Sequence, residues 1–114
     1  MNNSRYNQLI DKLLQATIEG RLSWVASSMA NEYQTSIGQN LVLISGPRRS
    51  LGFNVNLEME NMSIALVNND GVEIDRQKVE VSDSAYDNFL ELFDMARKNY
   101  YKVDETLQEV IDEV

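Results

Sequence analysis

Met62-Ser63-Ile64-Ala65-Leu66-Val67-Asn68-Asn69-Asp70-Gly71-Val72-Glu73-Ile74 is the stretch that decides the fold. An apolar run of strand length meets four residues that tolerate the positive φ of a tight turn, and a second β-prone run follows at once. Two strands joined so briefly must run antiparallel, because a parallel pair needs a long crossover. The run from Met62 to Val67 and the run from Val72 to Val81, with a break near Arg76, are therefore read as hairpin partners.

Working toward the N-terminus, the period of two continues. Phe53, Val55, Leu57 and Met59 alternate with Asn54, Asn56, Glu58 and Glu60, which predicts a strand with one solvated face. Gly46-Pro47-Arg48-Arg49-Ser50 reads as a loop, Leu41 to Ser45 as a strand, and Gly38-Gln39-Asn40 as a turn. Glu32 to Ile37 reads as a strand with Tyr33, Thr35 and Ile37 on one side. An antiparallel meander of four to six strands follows.

Outside the meander the period becomes helical. Tyr6, Leu9, Ile10, Leu13, Leu14, Thr17 and Ile18 recur at spacings of three and four, with Asn3 or Ser4 opening the helix and Gly20 closing it. The stretch Arg21 to Met29, which holds Trp24, follows neither period. After Val81, Ser84 and Asp87 read as a capping box for a helix to about Tyr101 that carries Tyr86, Phe89, Leu90, Phe93, Ala96, Arg97 and Tyr100 on one face. Asp104 is the expected cap of a final helix with Leu107, Val110, Ile111 and Val114 on one side. The expected fold is α+β over residues 1–114 as a single domain: an N-terminal helix, the meander, and two C-terminal helices packed on one sheet face.

Composition then narrows the function. The chain has 114 residues with 18 acids against 10 bases, no histidine and no cysteine. Ser-His-Asp and Cys-His catalysis, His-ligated zinc and thiolate clusters are excluded by missing parts. No cofactor and no enzymatic activity are expected. A net charge of -8 disfavours nucleic acid and anionic membranes, and favours a basic partner. The longest apolar runs, Leu41 to Ile44 and Ile64 to Val67, are too short to span a bilayer. The polar start lacks a signal-peptide core, so a cytoplasmic location is expected.

About half of the carboxylates lie from Asp83 onward. Asp83, Asp87, Glu91 and Asp94 fall at spacings of four, four and three, which makes them neighbours on a helix, and Glu105 and Glu109 extend the acid onto the last helix. One reading is an anionic ridge that docks on a basic surface; the other is a solvated helix face. Tyr101 joins the ridge as an interface candidate, because adjacent helical residues point about 100° apart and Tyr100 and Tyr101 cannot share one core. Arg48 and Arg49 are read either as an anion contact through forked guanidinium groups or as a plain polar loop tip. The turn at Asn68 to Gly71 lacks the ligand spacing of a calcium loop. Serines such as Ser23, Ser27 and Ser28 have no histidine base, so they are not read as nucleophiles.

The run Leu14-Gln15-Ala16-Thr17-Ile18-Glu19-Gly20-Arg21-Leu22-Ser23-Trp24, with a later helix bearing Leu90, Leu92-Phe93 and Ala96-Arg97, resembles small bacterial, prophage-associated α+β proteins that share A-T-x-x-G-x-x-x-W near the start. The resemblance implies a bacterial, mobile-element context and no activity. The reading that these observations favour is a non-enzymatic protein-interaction module, a regulator, inhibitor or adaptor, that uses its acidic C-terminal helices. The alternatives are an acidic mimic of nucleic acid that blocks a nuclease or restriction-type system, a structural domain that forms a homodimer, and, more weakly, a carboxylate-dependent enzyme.

Overall fold

The computed structural model describes residues 4–47 and 62–114. Asn3, the Arg48-Arg49 loop tip and the strand expected at 53–59 lie outside these residues. The described chain runs as helix α1 (Ser4–Ile18), strands β1 (Val25–Ala26), β2 (Glu32–Ile37), β3 (Asn40–Ser45), β4 (Ser63–Val67) and β5 (Glu73–Lys78), then helices α2 (Tyr86–Tyr101) and α3 (Val103–Glu113). The five strands form one antiparallel sheet in sequence order, β1-β2-β3-β4-β5. This is the α+β meander that the hairpin reading required.

Two turns set the register. Gly38, with φ of 61°, heads the two-residue loop between β2 and β3 and leaves Ile37 opposite Asn40. In the β4–β5 turn, the Asn68 side-chain oxygen accepts from the backbone N–H groups of Asp70 and Val72, each at 3.0 Å, and Gly71 takes φ of 80°. The last strand ends at Lys78, earlier than expected, and does not break at Arg76. Val79 still donates its N–H to the Met62 carbonyl, but Val81 has left the sheet and is exposed.

One sheet face carries the core. Tyr33, Val42, Ile44 and Ile64 lie buried in one cluster with Tyr6, Ile10 and Leu13 of α1 and Phe89, Leu92, Phe93 and Ala96 of α2. Burial of this kind contributes roughly 1.5–3 kcal/mol for each large apolar side chain. The close approach of α2 fixes one backbone choice: a Cβ on Gly46 would lie 2.5 Å from the Phe93 ring, so only glycine fits there.

The illegible stretch after α1 now has a cause. Arg21 donates its N–H to Ala16 and Gly20 to Thr17, which is a Schellman closure around Gly20 at φ of 74°. The reversed chain brings Trp24 back onto the helix it has just left. The indole Nε1–H donates to Thr17 Oγ1 at 3.0 Å, and the Thr17 hydroxyl donates to the Leu13 carbonyl. The Trp24 backbone N–H reaches Asn99 of α2 at 2.8 Å. The threonine, glycine and tryptophan of the A-T-x-x-G-x-x-x-W run thus build one turn, in which Thr17 and Trp24 are buried and Gly20 is exposed.

The capping box does not form. Ala85 occupies the position before α2, and no side chain caps the helix. Ala85 is drawn into the core, which turns Ser84 outward to accept from Asn7 of α1. Asp104 does not cap α3 either, since Lys102 takes that position in a left-handed conformation with φ of 53°. The largest departure concerns α3 itself, which does not share the core of the sheet and the other two helices and has no buried residue.

Candidate functional interface on the last helix

The expected acidic ridge divides into three parts. Asp83 is only 7% exposed, and its Oδ2 accepts the Glu80 backbone N–H at 2.7 Å, so it stabilises the approach to α2 and does not belong to an open surface. Asp94 is half-buried and ion-paired to Arg97 at 3.2 Å and Lys98 at 3.0 Å. Burial pushes its carboxyl up, but the two cations outweigh this and hold it below the ordinary aspartate value. Only Asp87 and Glu91 remain as exposed members of the α2 row. The expected row is therefore interrupted at both ends.

On α3 the acid is uninterrupted. Asp104, Glu105, Glu109, Asp112 and Glu113 are all exposed, and no basic residue occurs between Val103 and Glu113. At 100° per residue, Val103, Leu107, Val110, Ile111 and Val114 fall in an apolar arc of about 100° and the acids occupy most of the rest. Leu107, Val110 and Ile111 are 54–57% exposed, so this arc faces solvent along its length. Scattered apolar surface is normal, whereas here the exposed apolar residues adjoin one another along one side of a single helix.

Local energetics do not favour such a helix in isolation. Eleven residues is below the length at which an isolated helix becomes stable in water, about 12–15 residues. Glu105, Glu109 and Glu113 stand four residues apart in a like-charge column, and Asp112 and Glu113 oppose the dipole in the last turn. Asp104 and Glu105 in the first turn suit it. The bond from Gln108 Nε2 to Asp112 Oδ1, at 2.9 Å, is a local side-chain support within α3.

An aromatic cluster marks the α2–α3 junction. Tyr101 is 58% exposed and Tyr100 39%, with ring centroids 4.8 Å apart, and both also contact Tyr33 of β2. Burial and the neighbouring Tyr101 push the Tyr33 phenol up to about 12, with Arg97 opposing. Tyr33 is core, whereas the two helical tyrosines lie at its edge, partly open to solvent.

Sequence reasoning missed a second polar site. Glu32, expected on the solvated side of its strand, is only 4% exposed. It accepts from Ser27 Oγ at 2.5 Å and from Ser45 Oγ at 2.6 Å, and Arg76 approaches to 3.5 Å. Arg76 also donates to Ser63 and Glu73. Glu32, Ser45 and Ser63 are successive register partners across β2, β3 and β4, on the face away from the helices. The signal existed only in the pairing, which brings these serines level with the carboxylate. Every polar group in the network has a partner from the same chain, and this network ties together four strands, β2 to β5.

A groove of about 300 Å³ lies between the end of α1 and the β1–β2 edge, lined by Arg21, Leu22, Ser23, Val25, Gln34, Thr35 and Ser36. It contains no carboxylate pair. Among the described residues no group of acids is placed to hold a metal ion, and no helix is long and apolar enough to cross a membrane. No protein family, curated protein or solved structure matches the chain.

Proposed function

We propose that the chain is a non-enzymatic protein-interaction module whose docking element is α3. One observation carries this reading: α3 has a continuous apolar stripe and buries none of its residues. The same pattern of spacing in α1 and α2 is buried against the sheet. A helix whose stripe stays open, on a chain that folds its other helices closely, is suited to a surface on another molecule.

The interface differs from the one that the acid pattern alone indicated. Leu107, Val110, Ile111 and Val114 supply the apolar contact, Tyr101 lies at the α2–α3 junction, Asp104 and Glu113 are the acids nearest the stripe, and Glu105 and Glu109 lie on the opposite side of the helix. Asp87 and Glu91 lie on the neighbouring helix. A photo-cross-linking residue at position 111, compared with one at Gln8 on the exposed side of α1, tests the assignment in the source cell. The expected result is a discrete protein adduct from position 111 and none from position 8. Equal labelling from both positions, or none from position 111, contradicts it.

A further inference from the structure

We propose that α2 and α3 are two halves of one encoded helix, and that Lys102 is a two-state hinge between the broken form and a continuous helix from Tyr86 to Glu113. Phase is the first observation. Counted at 100° per residue straight through Lys102, the residues that α2 buries, Phe89, Leu92, Phe93 and Ala96, share one arc of about 100° with Tyr100 and every apolar residue of α3. The acids keep phase as well. Asp87, Glu91 and Asp94 recur as Glu105, Glu109 and Asp112, each pair about five whole turns apart, and all six lie on the side opposite the apolar arc. A helix that starts afresh after a left-handed residue has no need to keep phase with the one before it. Two patterns that cross the break in register are what a single helix requires.

The backbone at the break is the second observation. Lys102 is not a glycine, yet it sits at φ of 53° and ψ of 49°, where a Cβ crowds the following carbonyl. The break also leaves the last carbonyls of α2 and the first N–H groups of α3 outside the helical ladder. A continuous helix pairs them, and it turns α3 from a short helix that nucleates alone into an extension of α2. Opposing this, Asp104 and Glu105 in the first turn of α3 and Lys98 in the last turn of α2 are favourable to the dipoles only while two helix ends exist. Small local terms therefore balance the two forms, and α3, which buries no residue, gives up no core contact on moving. In the continuous form the exposed stripe prolongs the core-facing arc of α2; in the broken form it is turned out of line. Whatever covers the stripe in one form draws the population toward that form. The hinge holds whether or not α3 docks on another protein.

The chain has no cysteine, so spin labels at Asp87→Cys and Glu109→Cys report the form by double electron–electron resonance. A straight helix separates these two Cα atoms by about 33 Å, and any bend at Lys102 shortens the distance. The expected result is two distance populations whose ratio follows residue 102. Lys102→Gly, which frees the left-handed conformation and weakens a helix interior, should shift the ratio about tenfold toward the short distance. Lys102→Val, whose branched Cβ disfavours positive φ, should shift it toward the long one. A short distance alone in all three chains overturns the hinge, as does a long distance alone in all three or a ratio indifferent to residue 102.

Discussion

Helices α2 and α3 are separated by one residue, Lys102, and both are amphipathic, yet α2 buries Phe89, Leu92, Phe93 and Ala96 while α3 buries nothing. The difference does not lie in the pattern of either helix. It lies in what the meander offers: the helix-facing side of the sheet is filled by α1 and α2, and the left-handed turn at Lys102 begins a new helix beyond them. Periodicity states which face of a helix favours burial and is silent about whether the same chain supplies the surface.

Substitutions can break this contrast, beginning with the largest effect. Phe89→Ala should lower the unfolding free energy by about 3–5 kcal/mol in a denaturant titration, whereas Ile111→Ala should change it by under about 0.5 kcal/mol. Similar losses at both sites would remove the distinction between the helices. Glu32→Ala leaves Ser27 and Ser45 without their acceptor and Arg76 without one of its carboxylates, and should cost about 2–3 kcal/mol by the same titration. Thr17→Val strands the Trp24 indole N–H inside the turn and should cost about 1–2 kcal/mol, with a change in tryptophan fluorescence.

A smaller and graded effect comes from pH. Burial and the bond to Asp75 push the Tyr6 phenol from the ordinary value of 10 up to about 12, and Tyr33 is raised to about 12 as well. Both groups hold their protons more tightly in the folded chain than in the unfolded one. Their contribution is therefore intact below pH 10 and declines as pH rises from 10 to 12. Stability measured across that window should fall, and Tyr6→Phe should flatten the slope. A flat profile in the unaltered chain would contradict the burial of these phenols.

Much of this fold was legible in the residues. The Asn68 to Gly71 turn, the spacing of α1 and the Gly20 closure each use local chemistry that works without knowledge of the remainder. Three features were not legible, for a common reason. The burial of Glu32 depends on serines that become neighbours only through strand register, and the turn at Trp24 depends on a contact seven residues back to Thr17. The loss of the Ser84 capping box depends on Ala85 being drawn into the core. Asp83 and Asp94 share the spacing of Asp87 and Glu91 but are taken up by the Glu80 backbone and by Arg97 and Lys98. Spacing placed the acids on one helix and could not separate those with structural partners from those without.

Amide hydrogen exchange on the free chain tests the contrast most directly. The amides of Phe89 to Ala96 should exchange only through global unfolding, while those of Leu107 to Glu113 should exchange orders of magnitude faster through local opening of an unsupported helix. Equal protection of the two segments would mean that α3 is already held by the chain itself, and the docking role would lose its basis.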